Sequence, residues 1–141
     1  MATHEGATVV GGRSMGARAA CQAAAEARVL VSFPLVGGNG SDRGEELLGL
    51  EGDVLFVSGG KDEMCPLAKL EGVRREMGAR TWRVVVEGAN HGMACGKGTE
   101  AMREATGRIA GEWVAGRDKG RREMVISWDG EKVVGDEWRE G

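Results

Sequence analysis

The chain has 141 residues, 41% of them hydrophobic and 29% charged, with a formal net charge of −3. That balance fits one ordinary globular domain and excludes a disordered or collagen-like chain, although 25 residues are glycine. The slight acidity argues against broad binding of nucleic acid or of an anionic membrane. No run approaches the ~18 apolar residues of a spanning helix. The start, Met1-Ala2-Thr3-His4-Glu5-Gly6, has neither the basic nor the apolar segment of a secretory signal. Cys21, Cys65 and Cys95 are odd in number and show no C-x-x-C spacing, the pattern of reduced thiols. The expected compartment is therefore intracellular, cytoplasmic with the nucleus left open.

In chain order, Ala7-Thr8-Val9-Val10 is a short strand-type run, followed by Gly12-Arg13-Ser14-Met15-Gly16. Residues 15–26 have helical spacing, with Ala17, Ala20, Cys21 and Ala24 on a small-residue face and Arg18, Gln22 and Glu26 on a polar stripe. Val29-Leu30-Val31-Ser32-Phe33 is a continuous apolar run, the pattern of a strand covered on both faces, and Pro34 ends it. Residues 37–42 are a loop by their turn residues. Residues 53–58 form a second buried-type strand closed by Gly59-Gly60. Residues 67–77 repeat apolar side chains at helical spacing. Residues 82–86 are a further strand closed by Glu87-Gly88. Residues 99–114 predict a helix with Met102, Ala105, Ile109 and Trp113 on one face.

Strand and helix alternate, which predicts an α/β fold with about four parallel strands flanked by helices. Beyond Gly116 the composition turns strongly charged, dividing a domain of residues 1–116 from a charged C-terminal tail of 117–141. Within that tail, Met124-Val125-Ile126-Ser127-Trp128, then Asp129-Gly130, then Glu131-Lys132-Val133-Val134 predict a hairpin on a D-G turn.

The candidate chemistry begins at Ser14. A G-x-S-x-G pentapeptide between a strand and a helix is the context of a nucleophile elbow. Such an elbow needs an acid and then a histidine, each from a later loop. Asp62 follows the second buried-type strand, and His91 follows the strand of residues 82–86. All three then fall at the C-terminal edge of a parallel sheet, where ligands bind. A serine hydroxyl is a poor nucleophile until an imidazole takes its proton, and the imidazole needs a carboxylate to fix its tautomer. The backbone N–H of Met15 is the expected oxyanion donor. Only two histidines occur, and His4 lies near the terminus, so His91 is the one available base.

Each residue also has a plainer role open to it. Ser14 serves equally as a small turn residue, Asp62 as an N-cap for a helix starting near Pro66, and His91 as a loop histidine bonded to a carbonyl. Glu63 is an alternative acid. Other chemistry finds less support. Gly96-Lys97-Gly98 departs from a P-loop, no dinucleotide fingerprint follows a strand, and two histidines with scattered thiols make no metal set. No cofactor is expected. Cys65 and Cys95, each near a proposed triad member, are a candidate redox pair. Lys119-Gly120-Arg121-Arg122 reads as a solvated basic run.

These residues resemble the α/β-hydrolase superfamily, and more narrowly its dienelactone-hydrolase-related branch. That branch holds the testis-expressed α/β-hydrolase-like proteins and the KANSL chromatin-complex subunit. Residues 11–20 are similar to that family's elbow, Val31-Ser32-Phe33-Pro34-Leu35 to its next strand, 56–62 to its acid loop and 86–91 to its histidine loop. The resemblance covers residues 8–114 and implies a serine hydrolase acting on an ester or related acyl bond through Ser14, His91 and Asp62. It also implies several strands before the elbow and a second oxyanion donor from one of their loops, which only seven residues before Thr8 do not supply. The expectation is thus a partial α/β-hydrolase fold whose elbow strand is an edge covered by a protein partner or by the tail. Its activity is expected to be weak as an isolated chain. The alternatives are a truncated fragment and a non-catalytic interaction module of the same shape.

Overall fold

The computed structural model describes residues 9–13, 27–37 and 42–140, with the backbone alone for 9–13. Strand β1 runs Val9–Arg13 and β2 runs Ala27–Val31. A single helical turn, α1, spans Glu45–Leu48, and β3 spans Asp53–Gly59. Helix α2 spans Leu67–Glu76, β4 spans Arg80–Val86, α3 spans Thr99–Ala115, β5 spans Glu123–Trp128 and β6 spans Val133–Val134. The strands lie side by side in chain order, β1 to β5 all parallel and β6 antiparallel to β5. The expected helix over residues 15–26, with Ser14 and Met15, lies outside the described residues.

Period-2 alternation divides the sheet's side chains between two faces. On one face Leu55 and Val57 of β3, Trp82, Val84 and Val86 of β4 and Met124 and Ile126 of β5 are buried beneath α3. The α3 residues that meet them are Met102, Ala105, Ile109 and Trp113, the face expected from the helical period. On the opposite face Leu30, Val54 and Phe56 pack with Leu47 of α1 and with Leu70 and Met77 beside α2. Each fully buried Leu, Ile, Phe or Met side chain stabilises by roughly 1.5–3 kcal/mol. Two cores on two faces therefore fix the sheet from both sides.

The apolar run at 29–33 does not stay extended to Phe33. Strand β2 ends at Val31, and Ser32 turns the chain with φ of 53° while its N–H donates to Val57 O at 2.9 Å. β1 continues through Gly11 and Gly12 to Arg13, paired in register with Val31.

The hairpin forms, but on a four-residue loop, 129–132, with Val133–Val134 as its second strand rather than 131–134, because the Asp129 carboxylate accepts the N–H groups of Glu131 and Lys132 at 2.8 and 2.9 Å. Its first strand does more than close a hairpin. β5 pairs in parallel with β4 from Arg83↔Glu123 to Val86↔Ile126, as a fifth parallel strand. The α2 and α3 crossovers both step the same way across the sheet but lie on opposite faces, so they have opposite hands and one is the rare left-handed kind. The chain after β5 folds back along its outer edge, with Glu123 bridging Arg139 and Gly135 lying against Val125 O so closely that a Cβ there would overlap it. That cover blunts an edge otherwise open to pairing with other chains.

Candidate active site at the C-terminal edge of the sheet

Two adjacent parallel strands, β3 and β4, end at the same edge and deliver two loops. The first turns at once: Gly60 N–H donates to Val86 O and Lys61 N–H to Ala89 O, both at 2.9 Å. These bonds lash the loop after β3 to the loop after β4. The approach is close enough that a Cβ on Gly59 would overlap Ala89 O and sit 2.7 Å from Asn90 O. Only glycine fits where backbone meets backbone in this way.

The second loop is closed on itself. Gly88, at φ of 79°, allows a turn in which Ala89 N–H donates to Val86 O. Asn90 and Ala94 exchange bonds: Asn90 N–H donates to Ala94 O at 3.1 Å, and Ala94 N–H to Asn90 Oδ1 at 3.0 Å. Met93, with φ of 63°, drops its side chain into the core under α3. His91 is held within this clip.

The two loops bring Asp62 and His91 together. The ring Nδ1 lies 2.9 Å from Asp62 Oδ2 and 3.0 Å from Oδ1. The Asp62 side chain is fully buried and the His91 ring is about one-quarter exposed, at 28%. Asp62 Oδ1 also accepts the N–H of Met64 at 2.8 Å, which fixes the carboxylate plane. An ionised carboxylate accepting Nδ1–H sets the imidazole tautomer and leaves Nε2 to exchange a proton with substrate or nucleophile. Glu63 is exposed, and the N-cap of α2 is Pro66 without a side-chain bond, so Asp62 is neither bypassed as the partner of His91 nor spent on capping. A depression of about 300 Å³ opens beside the pair, lined by Lys61, Glu63, Met64, Asn90, His91 and Gly92.

The remaining residues of the sequence reading fall into place or outside view. Ser14 and Met15 lie outside the described residues, which end on this side at Arg13 of β1. Cys65 is buried against Ser58, Sγ to Oγ 3.9 Å, and burial pushes its thiol from 9.0 up to about 11. Cys65 packs in the core beneath α2, whereas Cys95 packs on the core beneath α3, so the sheet separates the two thiols and the redox pairing fails. Among the described residues no group of histidine, cysteine and carboxylates is arranged to hold a metal. No described helix is long and apolar enough to cross a membrane. Asn90 and Gly59 carry the site's geometry and were not singled out from sequence. The available signal is the Gly59-Gly60 pair, which closes β3 and opens the expected acid loop.

The strand order and this edge site define an α/β-hydrolase arrangement. The chain belongs to that family: residues 1–114 match the alpha/beta hydrolase domain. Among solved structures it is similar to Est1E from Butyrivibrio proteoclasticus, with a TM-score of 0.52 and 15% identity over 75% of this chain. The chain spans 60% of that structure's length, and the likeness is one of fold.

Proposed function

We propose that this chain carries the elbow, acid and histidine of a serine hydrolase acting on an ester or related acyl bond. The observation that supports it most is the buried Asp62 carboxylate on Nδ1 of His91, at the edge of the sheet where β1 also ends, at Arg13. In this reading Ser14 Oγ attacks the acyl carbonyl as its proton passes to His91 Nε2. The Met15 N–H stabilises the oxyanion. The tetrahedral adduct collapses, and the departing alkoxide takes the proton from His91. Water, deprotonated by the same ring, then releases the acid and restores Ser14.

Asp62 orients the ring and stabilises its cation throughout. The finer placement is the dienelactone-hydrolase-related branch with the testis-expressed and KANSL-type proteins, which rests on the elbow and loop sequences quoted above. β1 has a strand neighbour on one side only among the described residues. Cover for its other edge, by a protein partner or by more chain, belongs to the same reading. Hydrolysis of a p-nitrophenyl acyl ester, abolished by Ser14→Ala, tests the reading; equal rates for both proteins would reject it. The second reading, an interaction module of the same fold without catalysis, draws on that same unpartnered side of β1.

A further inference from the structure

Among the described residues, strands β4 and β5 have a helix over one face only. On that face Trp82, Val84, Val86, Met124 and Ile126 lie beneath α3. On the other face α2 packs over Val54 and Phe56 of β3, and neither core includes Val85 of β4 or Val125 of β5. Parallel strands are ordinarily covered on both faces. Here Val125 is 40% exposed. With Val85 and with Leu67 of α2 it lines a hollow of about 390 Å³. Arg83, two residues before Val85 on β4, lines the end away from the active edge and is held in ion pairs with Glu71 and Glu123. Lys61, Glu87 and Gly88 line the end nearer the C-terminal edge of the sheet.

Size and charge select what fits. Three aliphatic side chains fall far short of the roughly 800 Å² per partner of a stable protein interface, whereas the volume lies in the ~300–1,000 Å³ range of small-ligand sites. Lys61 and Glu87 bring one charge of each sign, and Arg83 is already matched by carboxylates, so the lining favours a neutral occupant. Lys61 also lines the depression beside His91, so the two hollows share a wall. We propose that this hollow is an acyl-chain subsite: it takes the apolar chain of a neutral, medium-chain acyl substrate whose carbonyl stands at His91. The substrate class rests on the hydrolase reading; the binding of an apolar chain does not.

Octanamide, neutral and resistant to hydrolysis, is the probe, with acetamide as control. Valine-methyl NMR is followed at Val85 while each is titrated into wild type, Val125→Asp and Val125→Thr. Octanamide should give saturable shifts in wild type, and acetamide none. Val125→Asp should weaken octanamide binding about tenfold, with the circular-dichroism spectrum of the wild type. Val125→Thr, close to valine in shape, should lose about threefold and guards against a folding defect in the first variant. No saturable shift at Val85, or equal affinity in both variants, overturns the subsite. So does a wild-type dimer that Val125→Asp dissociates, because the occupant is then a second copy. Octanamide binding without Ser14-dependent hydrolysis keeps the hollow as a site for apolar chains and rejects the hydrolase reading. Ser14-dependent hydrolysis with equal kcat/KM for acetyl and octanoyl esters, and no octanamide binding, does the reverse.

Discussion

The α-carbon of Gly59 lies against the carbonyl of Ala89, leaving no room for a methyl group between the acid loop and the histidine loop. The contact sits three residues before Asp62 and two before His91, so the spacing of the candidate pair depends on it. Gly59→Ala forces backbone to move, since the obstructing atoms are main-chain oxygens. Overpacking of this kind costs about 1–3 kcal/mol. Urea unfolding should show that loss, and the His91–Asp62 bond should lengthen or break in the variant. Unchanged stability in Gly59→Ala would contradict the close approach.

Asp62 has two tasks, holding the His91 tautomer and accepting the N–H of Met64. Asp62→Asn preserves volume but presents an amide where a carboxylate accepted Nδ1–H. In Ser-His-Asp systems such a change lowers the rate by about 10⁴. Labelling of Ser14 by an acylating probe should slow by roughly 10³–10⁴ while the circular-dichroism spectrum stays that of the wild type. A variant as reactive as wild type would remove Asp62 from the mechanism.

Burial raises the Cys65 thiol from 9.0 to about 11, which gives the stability a sign with pH. The folded pKa lies above the unfolded one, so below pH ~9 both states hold the proton and stability is unaffected. Between ~9 and ~11 the unfolded thiol ionises first and stability falls as pH rises. Cys65→Ala should flatten that alkaline slope in urea titrations at pH 8–11, though it costs some packing at every pH. The native thiol should also resist disulfide-exchange reagents that reach the half-buried Cys95. Rapid modification of Cys65 in the folded protein would contradict its burial.

Strand β5 is tied to the helix side by charge. Arg74, whose side chain is 8% exposed, pairs with Glu71 and, at 2.7 Å, with Glu123 of β5; Arg83 of β4 reaches both glutamates at 3.0 and 2.9 Å. Glu123→Ala leaves two guanidinium groups facing one carboxylate. A fully buried pair broken in this way costs about 3–5 kcal/mol, and the partial exposure here lowers that to about 1–3 kcal/mol. The expected signature is a lower urea midpoint and faster amide exchange in β5 and β6. Glu123→Gln, which keeps an acceptor, should lose less. A wild-type midpoint in Glu123→Ala would remove the network from the account.

The alternating strands and helices were legible in the sequence because β-branched runs and the α3 face carry their periods locally. The meeting of Asp62 with His91 was legible because each follows a strand. What was hidden is non-local. Nothing in 123–128 shows that β5 joins the main sheet. Its Glu123 is satisfied by Arg74 and Arg83 from distant elements. Ser32 looked like strand because its neighbours are apolar, while its left-handed φ comes from the turn into Pro34 and the bond to Val57 O. The Asn90–Ala94 clip was equally invisible, since a side-chain amide in a loop has no pattern of its own.

The measurement that bears most directly on the proposed chemistry is fluorophosphonate labelling of the purified chain, with the modified residue located by peptide mass spectrometry. The account predicts a phosphonyl adduct on Ser14 in wild type, none in Ser14→Ala, and slow labelling in His91→Ala and Asp62→Asn. A folded wild-type chain that takes no label, or one labelled equally after loss of His91, would contradict it.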